Sequence, residues 1–209
     1  MMRFARVVPI LLAVTLCASA VATAQTAATS GETTSYAEFD FAATLGHKSD
    51  TSIGGEYGFH LSPDFDVFVE GGHIGNAATS QMDDDAARIA ANVGATANAI
   101  SKITFVDAGL RYHWPASVNV DPYVALGAGF AHVKNETTLS ANSDLVQFGS
   151  DLNGTENRPI ILLGGGATVA FAKRYFLDLS YRFGAVLATG DASTVNKTQR
   201  AEVGIGLTF

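Results

Sequence analysis

From Ala37 onward, apolar and polar side chains alternate with a period of two. Ala37, Phe39, Phe41, Ala43 and Leu45 share one face, while Glu38, Asp40, Ala42, Thr44 and Gly46 share the other, as in a β-strand whose two faces meet different surroundings. A second strand sets Ile53, Gly55, Tyr57, Phe59 and Leu61 against Gly54, Glu56, Gly58 and His60. Ser62-Pro63-Asp64 then turns the chain into a third, with Phe65, Val67, Val69 and Gly71 opposite Asp66, Phe68, Glu70 and Gly72. The pattern lapses and then returns over 105–114, 123–130, 163–171, 177–184 and 200–209. The sixth register is less sharp, because Ile160 to Leu163 is apolar on both faces.

These eight strands are joined by connections of alternating length. Tight turns fall at Ser62–Asp64, Pro115–Asn119 and Ala172–Arg174, and longer polar stretches at 47–50, 76–100, 134–157 and 187–196. Short turns at one end and long loops at the other predict an all-β fold, an eight-stranded antiparallel up-and-down transmembrane β-barrel with both termini at the short-turn end. A soluble sandwich or lipocalin-like barrel would show the same apolar face. The other face separates them, since it collects Asp40, Glu56, Glu70, Asp107, Arg111, Arg182, Arg200 and Glu202 in mid-strand, interleaved with glycine. The expectation is a paired charge network in the lumen, in which three cations meet five anions and the excess acids need protons, water, a cation or a wet mouth. Phe59, Phe65, Tyr112, Trp114, Tyr123, Phe171, Tyr175, Phe176 and Phe209 crowd the short-turn end, where an interfacial aromatic girdle belongs.

Composition narrows the picture further. Apolar residues make up 47% and charged residues 16% of the 209, which excludes a disordered chain, and 13 basic against 20 acidic residues leave no footprint for nucleic acid. Residues 1–24 read as a cleaved signal peptide: Arg3 and Arg6, an apolar run from Val7 to Leu16, and small residues ending at Ala24. A short segment over 25–35 then leads into a barrel domain over 36–209. The single cysteine, Cys17, lies inside the signal, so the mature chain is expected to have no disulfide and no thiolate chemistry. Beyond the signal no run of 18 apolar residues occurs, which excludes a membrane helix but not membrane strands.

The terminal Ala201-Glu202-Val203-Gly204-Ile205-Gly206-Leu207-Thr208-Phe209, the segment from Asp121 through Phe130, Gly109-Leu110-Arg111-Tyr112 and Leu179-Ser180-Tyr181-Arg182-Phe183 resemble the eight-stranded outer-membrane barrels of Gram-negative bacteria. These are the OmpA-barrel and opacity-protein type often labelled porin family, and the resemblance covers nearly all of the mature chain. It implies a monomer in outer-membrane lipid. It also implies that Val203, Ile205, Leu207 and Phe209 form the signal read by the barrel-assembly machinery. No peptidoglycan-binding domain follows Phe209, so cell-wall tethering through one is not implied.

The function expected is structural or surface interaction through the outer loops, with a loop ligand that no motif identifies. The alternative is a narrow porin-like channel for small solutes or ions, although a lumen of eight strands is just wide enough for side chains or one small ligand. A remote third reading starts from Gly72-His73-Ile74-Gly75-Asn76, which resembles the His-x-Ser-Asn motif of lipid A deacylases but has Gly75 where the nucleophilic serine belongs. No enzyme, metal or cofactor is therefore expected. Asp83-Asp84-Asp85 lacks the frame of a calcium loop and reads as a solvated loop or the start of a short helix within 79–99. Asn135, Asn153 and Asn196 begin acceptor-like triplets read as polar loop sequence.

Overall fold

A computed structural model describes residues 35–114, 119–140, 152–188 and 196–209. The expected signal and its cleavage site lie outside these residues, as do nearly all of the segment over 25–35 and most of the turn at Pro115–Asn119. Eight strands run in chain order, each antiparallel to the next: β1 Ser35–Thr44, β2 Thr51–Ser62, β3 Phe65–Ile74, β4 Ala97–His113, β5 Val120–Leu139, β6 Gly154–Ala170, β7 Tyr175–Val186 and β8 Asn196–Thr208. β8 returns to β1, with Tyr36 opposite Thr208 and Thr44 opposite Arg200, and this pairing closes the barrel. At the seam Ser35 N donates to Phe209 O (3.0 Å) and Phe209 N donates to Ser35 O (2.9 Å). Closure leaves no open edge, the condition for a sheet to cross lipid.

The wall is inverted relative to a soluble protein. Phe39, Phe41, Val106, Leu110, Leu126, Leu163, Leu179, Val203 and Ile205 lie outside, more than half exposed, while Glu56, Glu70, Asp107, Arg111 and Arg182 are buried within. Of the terminal residues, Val203, Ile205 and Phe209 are exposed on the outer face and Leu207 is partly covered. Two of the expected girdle aromatics are corrected: Tyr123 and Phe176 are buried and face the lumen, because parity, not proximity to the turn, decides the face. Phe65, Tyr112, Trp114, Phe171, Tyr175 and Phe209 do lie exposed outside, and Phe65 packs on Tyr112 with ring centres 5.0 Å apart.

The long-loop end differs more from the expectation. β4, β5 and β6 run on through parts of 76–100 and 134–157 that read as loop. Asn135 lies within β5, Asn196 opens β8, and Gly154 and Thr155 begin β6, so all three acceptor-like triplets run in strand sequence. Outward-facing residues change character across one paired row, His73, Thr104, His132 and Asn157. Below it stand Val106, Phe130 and Ile161; above it Lys102 and Lys134 pair with Glu136 at 3.1 and 2.5 Å. That change marks the outer edge of the apolar band.

A helix, α1 (Ser80–Ala91), lies between β3 and β4. The Thr79 hydroxyl caps it, accepting from Met82 N at 3.2 Å. Met82, Ala86 and Ala90 recur every fourth position and pack on Ala99, Leu139 and Leu152. Gly94 ends the turn with φ 65°, a left-handed backbone that glycine adopts without a Cβ clash.

Inside the barrel Gly109 touches the Phe68 ring and the Leu126 carbonyl so closely that a Cβ would collide with both. Gly109→Ala is expected to cost ~1–3 kcal/mol through overpacking. A urea unfolding midpoint in detergent equal to that of the unaltered protein would refute this.

Candidate functional site

Alternation brings all eight of the predicted lumen residues inside, each 5% exposed or less. Arg182 on β7 is their hub. It donates through Nη2 to Glu56 Oε2 (2.7 Å) and through Nη1 to Glu70 Oε2. Its Nε lies 2.9 Å from Glu202 Oε2, but without hydrogen-bond alignment. Arg111 donates to Glu56 Oε1 (2.7 Å) and Arg200 to Glu70 Oε1 (3.0 Å), so Glu56 and Glu70 each bridge two guanidiniums. Arg111 also stacks 4.0 Å from the centre of the Tyr123 ring, and Arg200 lies 4.6 Å from that of Phe105, where a desolvated cation gains from the ring's negative face.

Two further mid-barrel acids, Glu38 and Asp178, join them. Asp178 lies 3.6 Å from Arg111 and accepts from the Tyr123 hydroxyl at 2.8 Å; Tyr36 donates to Glu56 at 2.6 Å. Both acids sit on the inward parity of their strands, so the alternation that selects the other eight selects them too. Seven carboxyls thus face three guanidiniums. Among the described residues Glu38, Asp40 and Asp107 pair with no cation, and both oxygens of Asp107 lack a hydrogen-bond partner. Gly204 makes room for Glu38 and Asp40, since a Cβ there would strike both carboxyls.

Toward the short-turn end the network passes to histidines. Asp66 accepts from or pairs with His60 Nδ1 and His113 Nε2, the latter at 2.7 Å, and His113 Nδ1 lies 2.9 Å from Asp121. A cavity of ≈ 300 Å³ opens there, ending on Arg111. Toward the long-loop end apolar side chains take over most of the lumen: Ile74, Ile103, Phe105, Ala131, Val133, Ile160, Leu162 and Val186 form one cluster, with Ser52 and Arg158 buried on the same inward face beside Ile74 and Ala131. This layer explains why Ile160 to Leu163 is apolar on both faces: Ile161 and Leu163 meet lipid while Ile160 and Leu162 meet the plug.

The other candidates stay apart. His73 faces outward and contacts the Thr104 hydroxyl at 2.9 Å, but among the described residues no carboxylate orients it, and Gly75 offers no nucleophile. His132 contacts Asn157 at 2.8 Å. Among the described residues no cluster has metal-ligand geometry. In the Asp83–Asp85 run, Asp83 binds Lys48 (2.9 Å) and His47 (2.8 Å), and Asp85 pairs with Arg88 on the same helix.

An inverted wall, an aromatic rim and a lumen filled by ion pairs define an eight-stranded outer-membrane barrel. Residues 10–209 match the family described as outer membrane protein beta-barrel domain, and the chain belongs to it and to the outer membrane. Its fold is similar to that of Neisserial surface protein A, with 14% identity, 86% of this chain and 98% of that chain covered, and a TM-score of 0.57. It is also similar to the N-terminal β-barrel domain of Pseudomonas aeruginosa OprF, at 19% identity, with 86% and 100% covered and a TM-score of 0.51. No curated protein matches the chain by sequence.

Two outcomes test this geometry. Arg182→Ala takes one of two guanidinium partners from each of Glu56 and Glu70 and leaves the buried acids short of charge; it is expected to cost ~3–5 kcal/mol, and double-mutant cycles in detergent unfolding should give a larger coupling to Glu56 than to Glu202. Equal couplings would show that hydrogen-bond alignment does not matter here. The second concerns Asp83. Its partial burial works to raise the carboxyl, but hydrogen bonds from Lys48 and His47 outweigh this and hold it below the usual carboxylate range. A lowered folded value means that the contribution is complete above the ordinary aspartate range near ~3.9 and is lost as pH falls through the folded value. Amide exchange in α1 should therefore speed up on acidification below that range in the natural chain. In Asp83→Asn it should already be fast at neutral pH.

Proposed function

We propose that the chain is a sealed barrel whose role is surface interaction, holding its long-loop rim outside the lipid for contact with ligands. The observation that carries this reading is the apolar lumen layer, eight side chains each 3% exposed or less. Permeating ions would need water there, and an apolar constriction expels it. Beneath it lies the Arg182 layer, so two unlike seals stand in series. The narrow-channel alternative draws on cavities at both mouths, but one is lined by Ile74 and the other by Arg111.

The rim supports the same reading. Extension of β4, β5 and β6 above the row of His73, Thr104, His132 and Asn157, with α1 packed on it, builds a rigid polar platform where recognition can reside. The chain acts as a monomer in outer-membrane lipid. Val203, Ile205, Leu207 and Phe209 present one apolar register at the terminal strand, the feature expected to engage the assembly machinery. An acyl-transfer role is disfavoured, since Gly75 stands where the motif's serine belongs and among the described residues no carboxylate orients His73 beside the Thr104 hydroxyl.

Planar-bilayer recording of the refolded protein checks the seal. The expected result is a quiet membrane at applied voltages that open porins. Current steps of reproducible size across preparations would overturn the sealed reading in favour of a channel.

A further inference from the structure

Across the short-turn mouth, four successive strands each give one titratable side chain to a single chain of contacts: His60 on β2, Asp66 on β3, His113 on β4 and Asp121 on β5. Asp66 offers one carboxylate oxygen to His60 Nδ1 and the other to His113 Nε2, the latter at 2.7 Å, and His113 Nδ1 lies 2.9 Å from Asp121 Oδ2. Asp66 and His113 are buried, at 1% and 5% exposure, whereas Asp121 is partly exposed; all four line the ≈ 300 Å³ cavity. Among the described residues no lysine or arginine pairs with either acid. Their counter-charge therefore comes from histidine, the side chain that gives up its proton near neutral pH.

The three contacts do not respond alike to that proton. A neutral imidazole keeps one N–H, and an ionised carboxylate can only accept. With a proton on His60 Nδ1 and another on His113 Nε2, both oxygens of Asp66 stay satisfied when the rings are neutral. His113 Nδ1 would then turn a bare lone pair toward Asp121, acceptor against acceptor at 2.9 Å, so this contact needs the imidazolium. Its two atoms are not aligned for a hydrogen bond, which leaves charge as what holds them together. The other titratable groups around His113 are committed elsewhere. The rings of Tyr123 and His60 stand 5.8 and 6.3 Å from its own between centres, and Tyr36 lines the same cavity, but the tyrosines donate to Asp178 and Glu56 and His60 turns to Asp66. Arg111, at the inner end of the cavity, is held by Glu56. From β6, β7 and β8 the lining is Thr168, Ala170, Phe176 and Thr208, none of them charged.

We propose that the His113–Asp121 contact is a proton-dependent latch on the short-turn mouth. Asp121 is the second residue of β5 and directly precedes Pro122, whose carbonyl accepts from Trp114 N at 3.1 Å; His113 N in turn donates to Asp64 O at 2.8 Å. While His113 is an imidazolium, the side-chain contact reinforces this join between the end of β4 and the start of β5. Once the proton leaves, Asp121 turns to water and the mouth loosens on that side alone, because Asp66 keeps both histidines. The contribution of the latch is present below ~6.5, the value of a free histidine, and is lost as pH rises through the value in the folded chain. The apolar cluster at the opposite end has no titratable member, so the latch works independently of that seal.

Hydrogen exchange of the refolded chain in phosphatidylcholine nanodiscs tests it. The Trp114 amide is followed by NMR, each rate corrected for the intrinsic effect of pH, together with the ring-nitrogen signals of His113. Protection of Trp114 should fall about tenfold as His113 loses its proton, while the mid-barrel Leu126 amide stays as it was. Two variants respond in opposite ways. Asp121→Asn should keep Trp114 protected throughout, because a side-chain amide can accept from a protonated Nδ1 and donate to a bare one. Asp121→Ala should leave it weakly protected throughout. Asp121 is partly exposed, so neither change threatens the fold. Trp114 protection that does not follow the titration of His113, a pH step that persists in either variant, or a loss that spreads to Leu126 would overturn the proposal.

Discussion

Arg182 ties three carboxylates on β2, β3 and β8 to β7 across the barrel, and the rest of the wall is arranged around that crossing. A closed sheet in lipid satisfies its own backbone but gains little from burying its outer face, because the lipid chains are as apolar as the residues that meet them. Contacts across the lumen therefore matter more than in a soluble barrel. A buried charge missing its partner is costly, so the network fixes which strand faces which, and a register slip of one residue would turn its charges out into lipid. The glycines follow from the same crossing: Gly109 admits the Phe68 ring, on which Arg182 lies at 5.6 Å, and Gly204 admits Glu38 and Asp40.

The lumen solves one filling problem in two ways. At mid-barrel it is filled by charge and hydrogen bonds, which need direction and leave Asp107 unpaired; toward the long loops it is filled by branched apolar side chains and Phe105, which need only shape. Arg200 stacks on Phe105 where the two regions meet. A charged layer alone can admit water between its groups, and an apolar layer alone can open when side chains move. In series, each covers the weakness of the other.

Much of this was legible in the sequence because a barrel wall has two sharply different faces and a period of two reports both. Parity placed all eight predicted charges inside. It failed where residues were sorted by another property: Tyr123 and Phe176 were grouped with the girdle by their nearness to the turns, although their parity points inward, and Glu38 and Asp178 were passed over although theirs also does. The plug at Ile160 and Leu162 blurred the register because its two sides are both apolar. The outer parts of β4, β5 and β6 were hidden for the opposite reason. Above the lipid both faces meet polar surroundings, so Lys134 to Thr138 shows no alternation, and only pairing with Asn98 to Lys102 makes it a strand.

Where the alternation vanishes, the constraint of lipid has vanished too, and the residues are free to serve something else. A substitution at an exposed polar rim position changes stability little, within about ±0.5 kcal/mol, whereas Gly109 or Arg182 cannot change without disturbing several strands. The wall can thus be common to barrels as distant as those at 14% and 19% identity. The cavity at the long-loop mouth lies on that boundary. Its floor, Ile74, belongs to the constrained plug, and its sides, from Lys48 through Ser80 to Lys197, belong to the rim. A rigid base beneath a polar lining holds polar groups in place at little entropic cost, which is the physical ground on which the proposed surface-interaction role rests.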